Sequence, residues 1–254
     1  MKSIYLLLCL IPLFSCNEIN ELIDSSKEGE VSIYAGDKPV VHKVEKPKEI
    51  KRYRIEPENG SLSNPFLLAF VEQLKKVVRK KDTAALFTML DANVISGNET
   101  FDRGIDAFRR TWELDQPEKA NNFWRLLNRQ LQLGGVTEEQ AGRYYFCVPY
   151  TSSNKAFAKF DYDFDWYHTA VCIVENSIVY EEPNEKSFKA GALKYDIVEF
   201  DPNFDRGYFT KILSIDQQHK GYVKTADLAF TNEPHLEIVE IESEYKIVAY
   251  TKHD

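Results

Sequence analysis

The chain has few of the marks that catalysis leaves. It carries no glycine-rich phosphate loop and no Gly-x-Ser-x-Gly turn for a nucleophile. Its five histidines stand singly, so none forms a pair at metal-ligand spacing. Basic residues are outnumbered, 32 Lys and Arg against 40 Asp and Glu, and the formal net charge is −8. That balance argues against nucleic acid, which is held mainly by basic groups on phosphates. It argues equally against docking on an anionic membrane through a basic patch. No run of eighteen apolar residues occurs, as a spanning helix would need. Cysteine is sparse, with four in the chain.

What is present begins at the start. Lys2 is followed by an apolar run from Ile4 to Phe14 and by the small residue Ser15. A charged start, a short apolar core and a small residue describe an export signal. Leu13-Phe14-Ser15-Cys16 resembles the lipobox of bacterial lipoproteins. The resemblance implies cleavage before Cys16, acylation of its sulfur, and a mature chain anchored on a membrane face of the bacterial cell envelope. It leaves the leaflet open, and an ordinary secretory signal with a chance cysteine is the alternative. Removing residues 1–15 takes away only Lys2 and moves the net charge to −9. Each buried methylene of an anchor contributes about 0.8 kcal/mol, so two or three acyl chains hold stably.

Residues 16–62 read as a tether. They are charged, hold Pro39, Pro47 and Pro57 and lack helical periodicity, although VSIYAG has the look of a strand. Asn64-Pro65 starts a helix, with a capping residue followed by proline at the first helical position. Leu67, Phe70, Val71, Leu74, Val77 and Val78 then form one apolar face. Asp82 caps a second helix, Ile105, Phe108 and Trp112 mark a third, and Pro117 opens a fourth that stops at Gly134-Gly135. From Tyr144 onward, alternation and β-branched residues predict strands. Helices first and strands second indicate an α+β fold.

Residues 170–230 carry a resemblance to the bacterial SH3-like domain, a small five-stranded barrel. The matching pieces are a strand into Val179 and Pro183, then Leu193-Lys194-Tyr195 before Ile197-Val198. Phe209-Thr210-Lys211-Ile212 follows a turn, and Gly221-Tyr222-Val223-Lys224 ends in Asp227-Leu228. In this reading Gly221 makes a tight turn and Leu228 plugs one end. The family's Val-Arg-x-Gly-Pro is Val179-Tyr180-Glu181-Glu182-Pro183 here, and its tryptophan is Phe209. HLEIVEIES and EYKIVAYTKHD alternate like a hairpin, to be added to the barrel or returned to the helical part. The helices with these strands resemble the cone-shaped α+β fold of the nuclear-transport-factor-like kind. The expected order is a signal at 1–15, a tether at 16–62, a helical or α+β domain at 63–167, the SH3-like barrel at 168–232 and a C-terminal β-hairpin at 233–254.

Cys147 and Cys172 remain as thiols beyond the anchor. A bridge between them would close a loop of about 25 residues and stabilise by about 3 kcal/mol; two separate buried thiols are the alternative. The order Cys147, His168, His219 is the one a cysteine hydrolase would use, given a depressed thiol pKa. FDYDFDWYH places Asp161, Asp163 and Asp165 at two-residue spacing, but a calcium hand would need glycine and glutamate where Trp166 and Cys172 stand. As a strand it turns aspartates to water and aromatics to the core. No cofactor and no metal site is expected. The expected role is non-catalytic binding of an envelope protein or a cell-wall peptide. Tyr180 and Glu182 in the long loop of the barrel, with Tyr195, Tyr208 and Tyr222, are the candidate contacts. The alternatives are an envelope cysteine hydrolase using Cys147 and His168, and a small-ligand carrier with a pocket in the helical domain, which a solid core around Trp112 and Trp124 would remove.

Overall fold

A computed structural model describes strand backbone at 32–34 and 39–41, and the chain over 53–97, 102–203, 206–215 and 220–251. Cys16, the export signal and His219 lie outside the described residues. The chain divides into two units, Met1–Glu49 and Ile50–Asp254. In the first, β1 (Ser32–Tyr34) pairs antiparallel with β2 (Pro39–Val41), so VSIYAG does contain a strand.

The second unit begins before the expected tether ends. Tyr53 and Ile55 are buried, and Arg54 between them reaches Asp196 with its guanidinium at 3.2 Å. Gly60–Ser63 forms a 3-10 turn whose first amide bonds to the Gly135 carbonyl at 2.8 Å. Two apolar side chains at alternate positions are enough to dock a proline-bearing segment that composition alone reads as linker.

Helix α1 (Pro65–Lys80) starts where the sequence places it. Asn64 Oδ1 accepts from the amides of Phe66 and Leu67 at 3.0 and 3.1 Å, and the stripe from Leu67 to Val78 is buried. There follow α2 (Thr83–Met89), β3 (Leu90–Gly97), β4 (Asp102–Arg103), α3 (Ile105–Thr111), α4 (Pro117–Leu133), β5 (Val136–Gln140) and β6 (Arg143–Val148). Strands therefore appear at Leu90, well before Tyr144; β3 has Asp91 half-buried and Ala92 and Asn93 exposed, which hides its alternation. Then come α5 (Asn154–Ala158), β7 (Thr169–Cys172), β8 (Ser177–Tyr180), β9 (Lys189–Leu193), β10 (Ile197–Phe200), β11 (Phe209–Ser214), β12 (Lys220–Lys224), β13 (Leu228–Phe230), β14 (His235–Ile241) and β15 (Glu244–Thr251).

The strands make a mixed α/β body with two large sheets. The first has the order β4-β3-β15-β14-β6-β5, antiparallel except for the parallel pair β3–β15. The helices pack on it: Leu74, Leu86, Phe108, Phe123, Leu127 and Leu131 share one core with Phe146, Ile238, Ile247 and Tyr250. The C-terminal hairpin thus returns to the helical part, in the middle of its sheet. Residues 149–234 are an insertion between two adjacent strands, since Val148 of β6 pairs with Leu236 of β14.

The second sheet runs β13-β7-β10-β11-β12-β8-β9, antiparallel throughout. It has seven strands where five were expected, and its hydrogen-bonded order does not close into a ring among the described residues. It is nonetheless rolled. Ala170, Val179, Leu193, Phe200, Ile212, Val223 and Leu228, one from each strand, meet in one core. Ser177 Oγ on β8 donates to Asp227 Oδ2, next to β13, at 2.7 Å, tying the two ends of the sheet order together. Leu228 is fully buried. Gly221 is not a turn residue: it lies inside β12, where an added Cβ would stand 2.6 Å from the Tyr180 carbonyl oxygen.

A third cluster, including Tyr53, Ile55, Val136, Tyr150, Phe157, Phe164, Val171 and Ile197, joins the two sheets. FDYDFDWYH belongs to this junction as an irregular loop between α5 and β7, and the expected strand is not formed. The reason is local bonding: Asp165 accepts from the Tyr167 amide at 2.9 Å and from His168 Nδ1 at 2.7 Å. The aspartates are exposed as expected, and Phe164 packs edge-on against Phe157 and Tyr53.

Candidate functional site

The rolled sheet gathers three of the five expected contact residues. Tyr180 at the end of β8 is paired with Tyr222 on β12. The Tyr180 ring meets Phe209 edge-on at 5.7 Å, and Phe209 meets Tyr208 at 5.0 Å. Tyr180 is only 6% exposed and Tyr222 is half-buried, so these two form the floor and Tyr208, 63% exposed, forms the surface. Strand alternation predicts which residues share a face but not how deep that face sits.

Tyr208 is held in place by charge. Its hydroxyl donates to Glu185 Oε1 at 2.8 Å, and Lys224 Nζ stands 3.1 Å from Glu185 Oε2 and 5.8 Å from the Tyr208 ring centroid. The Tyr208 hydrogen bond and then Lys224 hold the Glu185 carboxyl below its ordinary range. Glu185 and Glu182 belong to the loop between β8 and β9. That loop is folded on itself by Glu181 N–H to Phe188 O and Glu182 N–H to Ser187 Oγ, both at 3.0 Å. Glu182 is exposed, and so is Phe188, at 71%. Phe188, Phe209, Glu185 and Lys224 were not picked out as contact residues from sequence; for Phe188, an aromatic residue in a charged loop was the available signal. Tyr195 is elsewhere. It sits at φ 56 in the β9–β10 turn, its carbonyl taken by the Ile55 amide at 3.0 Å.

Cys147 and Cys172 are both free and buried, so no bridge joins them. Cys147 lies on β6 and Cys172 on β7, in different sheets. Burial, then Glu138 and Glu237, push the Cys147 thiol far up, and burial also raises Cys172. His168 is bonded to Asp165 at the surface. Among the described residues no histidine is bonded to either thiol, and a buried protonated thiol of that kind is not an activated nucleophile. No three potential ligands converge for a metal among the described residues.

Around the tryptophans the rings of the helical interior pack on one another, with a cleft of about 360 Å³ beside Trp124. Trp112 lies 4.7 Å from Tyr250 and 5.7 Å from Phe123, and Phe123 lies 4.9 Å from Trp124 between ring centroids. A cleft of about 830 Å³ lies at the open end of the first sheet. Its walls come from the 3-10 turn and start of α1, from β6, and from the tip of the β14–β15 hairpin. These segments are far apart in sequence, which is why no local pattern revealed it. No family model, no curated protein and no solved structure matches the chain.

Proposed function

We propose that this chain is a lipid-anchored protein of the bacterial cell envelope that binds an envelope protein or a cell-wall peptide without catalysis. In this reading the rolled sheet is an SH3-like barrel: β7, β10, β11, β12 and β13 are its five strands, and β8 and β9 border its long recognition loop. The return of β13 to pair with β7 after the 3-10 turn at Thr225–Asp227 supports that assignment. The sheet order β4-β3-β15-β14-β6-β5 with its one parallel pair likewise supports the cone-like comparison for the first sheet. Cys16, acylated, supplies the anchor.

The observation that carries the binding role is Tyr208, an exposed ring braced by Glu185 and Lys224 at the foot of a loop that presents Glu182 and Phe188. A braced aromatic loses little side-chain entropy on binding and offers both area and a hydroxyl. The test is retention of the chain on purified cell wall, with photo-crosslinking from position 188 in intact envelopes. Wall retention, or a single crosslinked protein, that disappears in Tyr208→Ala supports the reading. Retention and crosslinking indifferent to Tyr208→Ala remove it. Tyr180→Ala is not a usable probe, because that ring is part of the floor. Lipidation is checked separately: an acyl label present in the wild type and absent in Cys16→Ala.

A further inference from the structure

Across the open end of the first sheet, carboxylates and tyrosines alternate. The register sets Glu139 opposite Tyr144 on β5–β6 and Glu240 opposite Tyr245 on β14–β15. Between them, Val239 stands opposite Tyr145, and one further step brings Glu240 beside Tyr144. The row is therefore Glu139, Tyr144, Glu240, Tyr245 across four strands, on the side that faces the helices. One layer deeper are Phe146 and Ile238, which pack with Leu67 of α1. The helix covers that inner layer and leaves the outer row open: Tyr144 is 67% exposed, and Glu139 and Glu240 are exposed. Phe66, 76% exposed, stands next to Leu67 on the first turn of α1.

The groups at the back of the cleft are already engaged. Asn64 Oδ1 caps α1, and Asn64 Nδ2 donates to the Tyr245 hydroxyl at 2.8 Å. The helix start is thus closed to an anion. Burial and the Glu240 carboxylate both push the Tyr245 phenol up. Arg143 is the one basic residue among the lining residues, and strand alternation puts it with Tyr145 on the other side of β6.

We propose that this cleft binds a small organic cation, an ammonium or guanidinium group on an apolar body. Tyrosine ring faces attract such a charge. Glu240 neutralises it, and Leu67, Phe146 and Ile238 receive the apolar part. A volume of about 830 Å³ suits a small molecule. The site is independent of the Tyr208 face and of the role proposed for it.

The test is calorimetric titration of the full chain with benzyltrimethylammonium, and separately with phenylacetate as the anionic counterpart. The expected result is one-to-one saturation by the cation alone. Affinity falls about tenfold in Tyr144→Ala and in Glu240→Gln, the scale of one cation–π or charge contact. It is unchanged in Tyr208→Ala. Both cleft substitutions fall at exposed positions, and melting curves that overlay the wild type confirm that the fold is kept. Absence of saturable binding, equal uptake of both ions, or indifference to both substitutions overturns the assignment. So does phenylacetate binding that is lost in Arg143→Gln.

Discussion

Tyr150 and Tyr250 are both buried, yet their hydroxyls are treated differently. Tyr250 donates to Gln130 Oε1 at 2.9 Å, whereas the Tyr150 hydroxyl has no partner among the described residues. Tyr250→Phe leaves the Gln130 oxygen unpaired and is expected to lose about 1–2 kcal/mol; Tyr150→Phe is expected to be neutral or to gain up to about 1 kcal/mol. Urea denaturation of the two variants checks this. The same buried groups set an alkaline limit. The thiols of Cys147 and Cys172 and the phenols of Tyr150 and Tyr250 are all raised by burial, from ordinary values of 9.0 and 10.0. Each stays protonated in the folded state after the unfolded chain has begun to ionise. Their contribution is complete below about pH 9 and is lost as pH rises, by up to about 1.4 kcal/mol per pH unit for each group. Denaturation midpoints under reducing conditions, compared at about pH 8 and about pH 10.5, should fall steeply. At this scale the sequence grouped the tyrosines at 180, 208 and 222, which the sheet does bring together, without saying which one meets solvent. The β-type runs around both cysteines showed that they would be buried, but not that they belong to different sheets.

Helices were the legible elements. In α1 the capping residue, the proline and the stripe from Leu67 to Val78 all agree, and each of these signals is local. Strands β3 and β4 were missed because one is half polar and the other has two residues. Gly221 was recognised as special for the wrong reason. What demands glycine there is a neighbouring backbone: a Cβ would meet both the Tyr180 carbonyl oxygen and Val179 Cγ1 at 2.6 Å. Gly221→Ala should therefore cost at least about 2 kcal/mol by overpacking between β12 and β8. Gly191→Ala on β9, where a Cβ meets nothing within 4 Å, is the control, expected within about 0.5 kcal/mol of wild type. Thermal or chemical denaturation of the pair separates close approach from any general intolerance of alanine in these strands.

At the scale of the molecule, helices do precede most strands along the chain, but the C-terminal hairpin is not a separate piece in space. The last two strands sit in the middle of the first sheet, between β3 and β6. Removing residues 233–254 should abolish cooperative unfolding of the helical layer, because β3–β4 and β5–β6 then lose the two strands paired between them and the core loses Leu236, Ile238, Ile247 and Tyr250. Near- and far-ultraviolet circular dichroism of the truncated chain against the full one reads this directly. The rolled sheet has no such dependence, since all its strands lie between Thr169 and Phe230. In the first sheet, by contrast, Ile95 must find Ala249, and long-range pairing of that kind is slow because the loop must close first. Pulse-labelling during refolding should accordingly protect amides of β10, β11 and β12 before those of β3 and β15. The Tyr208 face would then exist early in the life of each molecule, and the cleft beneath Tyr144 only once β14 and β15 have arrived to complete it.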